Sequence, residues 1–271
     1  MVRRAHAAGL NHFDTAPLCG HGLSKLRLGH ALRWTRRDSF VLSTKVGRLL
    51  TPAPRESSDF APRMNAAAFT LRFDCSYDGA MRSIEDSLQR LALERIEIVF
   101  IHDCDRFTHG PERQPRMFEA AMSGAARALL ALRHQGVVKS VGLGVNEWEV
   151  CLAGLERHDF DAFLLAGRDT LLEQDALDQF LPLCVERGAS IALGGGYNSG
   201  ILAIGAVPGA KYNDAPAPAS AMGRPRRSRR SAIATESRSR RPRCSSCSRI
   251  RPLRRSSRKP APWRSSSRTW R

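Results

Sequence analysis

From residue 10 to about residue 204 short apolar runs alternate with longer amphipathic ones, the pattern of βα units built on a parallel sheet. The apolar runs at 10–14, 40–45, 96–101, 138–145, 161–166 and 190–194, most of them rich in Val, Ile, Leu or Phe, predict strands. The intervening segments at 23–34, 76–91, 117–135, 147–157 and 174–187 predict helices. In 76–91, Ile84, Leu88 and Leu91 share a face at i, i+4 and i+7, and Ser76 stands where an N-cap would. Residues 48–75, with Pro52, Pro54 and Pro62, read as a long loop after the second strand.

Six strands fall short of the eight that close a (β/α)8 barrel. Arg3 to Leu10 reads as the last turns of a helix running into strand 10–14, with no strand before it, and the alternation stops after Tyr197-Asn198-Ser199-Gly200. The expected fold class is therefore α/β, of (β/α)8 TIM-barrel type but incomplete at both ends. The expected division is a partial barrel over 1–213 and an Arg/Ser/Pro-rich tail over 214–271, disordered because its composition offers too little apolar surface to offset ordering entropy.

Charge sharpens that division. The formal net charge is +17, and residues 224–271 carry 18 Lys+Arg against the single acid Glu236, so the whole excess sits in the tail. A basic arm of this kind could neutralise nucleic-acid phosphates. The reading set against it, and preferred here because the break falls inside an enzyme-like pattern, is that a frame change has put Arg/Ser/Pro text of no selected function in place of the barrel's end; nucleic acid is not the expected partner. Cys244 and Cys247 have metal-ligand spacing but no second pair to complete four ligands, so no metal is expected. Seven scattered cysteines, an odd number at no framework spacing, fit a reduced compartment. With no apolar run near the ~20 residues of a membrane span and no secretory leader, a cytoplasmic location is expected. The oligomeric state is left open.

Functional groups in a parallel barrel gather where strands end. Asp14 closes strand 10–14, Lys45 closes 40–45, His102 follows 96–101, Asn146 follows 138–145, and Ser199 lies beyond 190–194. Taken singly, each is an ordinary strand-end or turn residue. Together, a carboxylate, an ammonium and an imidazole on neighbouring strands could form a buried Asp/Lys pair beside a proton-relaying His.

The wording around these residues resembles the aldo-keto reductase family. Phe13-Asp14-Thr15-Ala16-Pro17 with Gly20-His21-Gly22-Leu23-Ser24, then Ser43-Thr44-Lys45-Val46-Gly47-Arg48, Ser87-Leu88-Gln89-Arg90-Leu91 and Ile101-His102-Asp103, follow that family's order. With Leu165-Ala166-Gly167-Arg168 and Tyr197-Asn198-Ser199-Gly200-Ile201-Leu202, the likeness is strongest to its bacterial fucose or threo-aldose dehydrogenase branch and spans residues 5 to about 213. The resemblance implies hydride transfer between NADP or NAD and an aldose anomeric carbon or a carbonyl, the substrate being a small sugar or carbonyl compound. It implies that Asp14 orients Lys45, that Lys45 lowers the pKa of the acid/base group, and that His102 holds the substrate oxygen. Asn146 would bond the nicotinamide carboxamide, and Ser199 and Gly200 would lie along the dinucleotide.

Three positions depart from the family pattern. Cys19 stands at the position of the acid/base tyrosine, and its short side chain stops several ångströms before a phenol oxygen would, so proton transfer through it is expected to be impaired. Lys25 replaces a usual Glu, and Asp169 a usual Tyr. The alternatives carried forward are a catalytically inactive remnant that keeps part of the nicotinamide site, and nucleic-acid binding through the tail.

Overall fold

A computed structural model describes residues 1–54, 66–167, 169–213 and 215–223. The tail beyond 223, with Cys244 and Cys247, and the family-motif residue Arg168 lie outside the described residues.

The chain begins with helix α1 (Val2–Ala7) and runs into strand β1 (His12–Asp14), as the opening residues suggested. Helix α2 (Leu23–Leu32) leads to β2 (Val41–Val46); helix α3 (Tyr77–Leu91) leads to β5 (Ile98–His102). Next come β6 (Ser140–Val145), helix α6 (Trp148–Arg157), β7 (Ala162–Ala166), helix α7 (Phe180–Arg187) and β8 (Ser190–Gly194). These six strands form one parallel sheet in the order β1-β2-β5-β6-β7-β8, with β1 and β8 at its edges. Successive strands joined through helices on the outside are the (β/α)-barrel arrangement, here as an arc of six strands.

The strand bounds fall within two residues of the apolar runs, and the central strands β5, β6 and β7, largely buried on both faces, are nearly continuous apolar runs. All six residues of β6 are buried. Behind the sheet, Ile84 and Leu91 of α3 and Leu129 and Leu132 of helix α5 (Ala126–His134) pack with Val99, Ile101, Val141 and Leu143 in one continuous core. Ser76 caps α3 as expected, its Oγ accepting from the Gly79 N–H at 3.0 Å.

Two segments differ from the sequence reading. Residues 48–75 are not simply a loop: β3 (Arg48–Pro52) and β4 (Phe69–Phe73) pair antiparallel, Arg48 opposite Phe73. Of the prolines that make the segment look irregular, Pro52 ends β3 and Pro54 and Pro62 belong to the connection. The helix expected at 117–135 starts earlier, as α4 (Arg106–Ala120), and reaches α5 through a π-helical turn at Ala121–Ala125. Gly110 breaks α4 with a left-handed φ of 72°, and Pro111 restarts it, a proline tolerated at the start of a helical run. Beyond β8 a short helix α8 (Ile201–Ile204) and a two-stranded pair, β9 (Lys211–Tyr212) with β10 (Ala215–Pro216), carry some regular structure across residue 213.

Candidate active site

The carboxyl ends of the parallel strands open on a cavity of about 550 Å³. Its wall includes Lys45 from β2, Arg48 and Phe73 from the β3–β4 hairpin, His102 and Asp103 at the end of β5, and Gly144 and Asn146 at the end of β6. The apolar remainder includes Leu18, Leu71, Phe107 and Leu164. A mostly apolar cleft with a few convergent charged groups is the usual form of a small-molecule site.

Parallel pairing sets the first contact. Asp14 lies opposite Ser43, two residues before Lys45 on the same face of β2. The Lys45 Nζ donates to Asp14 Oδ2 at 2.6 Å and to the Thr15 carbonyl at 3.1 Å, while Ser43 Oγ donates to Asp14 Oδ1 at 2.6 Å. His12 Nε2 in turn lies 3.0 Å from Ser43 Oγ, and burial holds the His12 pKa below the ordinary imidazole range. The result is a chain from His12 through Ser43 and Asp14 to Lys45. The Lys45 side chain is 6% exposed and that of Asp14 34%, so the ammonium is sequestered while the carboxylate on edge strand β1 still meets water.

His102 ends β5 opposite Gly144. Burial, reinforced by the nearby cations Lys45, Arg48 and Lys25, pushes its pKa well below the ordinary value, so the ring is neutral near neutrality. Its Nε2 lies 3.2 Å from Asp103 Oδ2, which also accepts from Arg48 Nη2. The Arg48 guanidinium stacks 4.3 Å from the centre of the Phe73 ring. Asn146 is held by Asp105, whose Oδ2 accepts from both the Asn146 backbone N–H at 2.6 Å and Nδ2 at 3.1 Å. That leaves the Asn146 carbonyl oxygen for an outside N–H donor.

Asp14, Lys45, His102 and Asn146 thus gather at one rim, Lys45, His102 and Asn146 in the cavity wall and Asp14 directly bonded to Lys45. Cys19 does not join them: it is exposed and absent from the cavity wall. Ser199 and Gly200 sit in a tight turn after β8, at φ 57° and 102°, and are also absent from that wall. Lys25 is wholly buried on α2, and burial raises the pKa of Asp169. The reading of strand ends missed Ser43, Arg48, Asp103 and Asp105. Ser43 was recoverable from its two-residue spacing to Lys45, and Asp103 from its place beside His102; Arg48 belongs to a hairpin that was read as loop.

Residues 1–240 match the model of the aldo/keto reductase family. The chain belongs to that family. Among aldo/keto reductase relatives it is 40% identical over 229 residues to a pyridoxal 4-dehydrogenase of Microbacterium luteolum, covering 81% of this chain and 67% of the relative. It is 37% identical over 207 residues to a D-threo-aldose 1-dehydrogenase of a Pseudomonas species, covering 75% and 60%. The chain therefore spans between three fifths and two thirds of the length of these two dehydrogenases. The holo form of an aldo-keto reductase from Bacillus halodurans superposes with a TM-score of 0.57 at 23% identity, over 76% of this chain and 60% of that one, a likeness of fold. The family uses nicotinamide cofactors. Among the described residues no helix is long and apolar enough to cross a membrane.

Proposed function

We propose that this chain is an NAD(P)-dependent oxidoreductase that transfers hydride between nicotinamide and the anomeric carbon of an aldose or a related carbonyl carbon. The observation that carries the reading is the Lys45 ammonium, fixed on Asp14 at 2.6 Å in the wall of a cavity it shares with His102 and Asn146. An ammonium so placed favours negative charge on a substrate oxygen or on a neighbouring acid/base group, as a hydride-transfer reaction needs.

The donor set fits the nicotinamide end of the cofactor. Asn146, with Nδ2 held by Asp105, offers its carbonyl oxygen to a carboxamide, and Ser199 and Gly200 in the turn after β8 would lie along the dinucleotide. When bound, the cofactor accepts or returns the hydride. The protein's share is to orient the substrate, exclude water and manage the proton. The names of the two relatives point to aldehydes with a hydroxyl group placed to close a cyclic hemiacetal, so a hemiacetal oxidised to a lactone is the substrate class we favour.

The position of Cys19 favours a second reading, a nicotinamide-binding protein without turnover. One experiment separates the two. The purified full chain is mixed with NAD or NADP and a threo-aldose or pyridoxal, and reduced nicotinamide is followed by absorbance. Steady formation with either sugar or pyridoxal supports the enzyme reading; a nicotinamide fluorescence change with no turnover leaves only the binding protein.

A further inference from the structure

With Cys19 off the cavity wall, the proton of the reaction needs another acceptor, and Asp103 is the carboxylate in that wall. Its backbone is left-handed, φ 49°, a conformation that Asp tolerates better than most residues, and its N–H donates to the Gly144 carbonyl at 3.0 Å. Non-glycine residues held in this region cluster at functional sites. The turn sets the side chain against the cavity, where Oδ2 accepts from Arg48 and lies 3.2 Å from His102 Nε2, while Oδ1 has no bonding partner among the described residues.

The state of His102 bears on the assignment. The ring is neutral, its Nε2 lies 3.2 Å from the Asp103 carboxylate, and Nδ1 is buried with no partner among the described residues. A neutral imidazole set against the carboxylate in this way is placed to position it. Arg48, pinned over Phe73, holds the other side.

We propose that Asp103, its carboxylate held between Arg48 and His102 in the cavity wall, is the general base that takes the hydroxyl proton when a hemiacetal is oxidised in this pocket. The assignment rests on the oxidoreductase reading above. In the step, the hemiacetal O–H bond breaks and its proton passes to the carboxylate. The electron pair left on oxygen closes the carbonyl of the lactone, the anomeric C–H pair leaves as hydride to oxidised nicotinamide, and the carboxyl proton is afterwards released to water.

Burial raises the Asp103 pKa to about 6, against the opposing pull of Arg48 and Lys45 and with a further push from Asp105. The charged and titratable groups facing it are Lys45 of β2, Arg48 of β3, His102 of β5, Asp105, and His109 of α4, which bonds the Asp103 backbone. A carboxylate of this basicity is ionised near neutrality and is a better base there than an ordinary one.

Three variants and two readouts test the proposal. In the full-length wild type, kcat/KM for oxidation should rise with pH through a limb near the Asp103 value of about 6. Asp103→Asn should lose about 10²–10⁴-fold and the limb with it, and Asp103→Glu should recover part of the rate. Arg48→Met should move the limb to higher pH, because the cation holding the carboxyl down is gone; a merely structural role for Asp103 would not shift it. The second readout needs no turnover: the carboxyl infrared band of the cofactor-free protein should titrate near the same pH in wild type and be absent from Asp103→Asn. Undiminished kcat/KM in a folded Asp103→Asn variant, or a band that titrates in the ordinary carboxylate range, overturns the proposal alone. A wild type that shows the expected band but never reduces nicotinamide overturns the redox reading, and the role of Asp103 with it.

Discussion

Lys45→Met is expected to lower kcat/KM for nicotinamide-linked oxidation by about 10²–10⁴-fold, the range that general acid/base catalysis supplies. The ammonium is the charge that lets a nearby oxygen carry negative charge in the transition state, and methionine fills its volume without that charge. Asp14 then loses the donor at 2.6 Å but keeps Ser43, and its 34% exposure lets water take the vacated side. The fold should therefore survive, with an unfolding free energy reduced by less than the roughly 3–5 kcal/mol typical of breaking a fully buried pair. Lys45→Arg should not restore the rate, because a planar fork cannot replace a compact point charge reaching both Asp14 and the Thr15 carbonyl. Steady-state kinetics beside denaturant unfolding separates the loss of function from any loss of fold; a variant within threefold of wild type would remove Lys45 from the chemistry.

The second large effect is on stability. Lys25 is completely buried on α2, and among the described residues its ammonium has one hydrogen bond, to Ser87 Oγ at 2.7 Å. Burial, with Arg90 and Lys45 adding repulsion, drives its pKa well below the ordinary lysine value. Between the lowered folded value and the ordinary one the unfolded chain binds a proton that the folded chain does not, so stability rises with pH across that window and is least below it. Lys25→Met should remove this pH dependence. It should also stabilise the fold at neutral pH by about 1–4 kcal/mol, the gain seen when buried ionic groups give way to apolar ones of similar volume. Ser87 keeps its own bond to the Ser83 carbonyl, so the substitution strands no buried hydroxyl. Each kcal/mol corresponds to roughly 2–4 °C in Tm for a domain of this size. Thermal unfolding across a pH series reads both; a lower Tm in Lys25→Met would show that the amine is worth more than its burial costs.

The parts of the fold that were legible in the sequence are those where one physical demand dominates. Strands buried on both faces are largely apolar, so β5, β6 and β7 stand out as runs, and α3 is marked by its apolar stripe and by Ser76. The β3–β4 hairpin was hidden because Pro52, Pro54 and Pro62 drew the whole stretch into one loop. The alternation of Phe69, Leu71 and Phe73 with Thr70 and Arg72 is a period-two strand signal that the loop reading of 48–75 passed over. Pro111 and Pro115 hid α4 in the same way: a proline reads as a helix breaker, although Pro111 stands in the first turn after the Gly110 break, where one is accepted.

At the site, the rule that chemistry sits at strand ends singled out Asp14, Lys45, His102 and Asn146, which the parallel register brings to one rim. It did not single out Arg48, or Asp103 beside His102. Arg48 reaches the cavity from an antiparallel excursion outside the βα repeat, and Asp103 is turned inward by a left-handed residue just past its strand, a conformation that no periodicity reveals. Cys19 and Lys25 were noticed as departures from a family pattern, but whether each faces solvent or core depends on packing. The structure exposes the thiol and buries the amine.

Nicotinamide binding at the Asn146 rim tests the central claim most directly. Titrating the purified full chain with NADPH and NADH and following reduced-nicotinamide fluorescence should give saturable binding of at least one of them. Asn146→Ala should weaken that binding by about tenfold, the loss of one good hydrogen bond, with thermal unfolding little changed. Binding by neither cofactor, or equal affinity in wild type and Asn146→Ala, would contradict a nicotinamide site at this cavity.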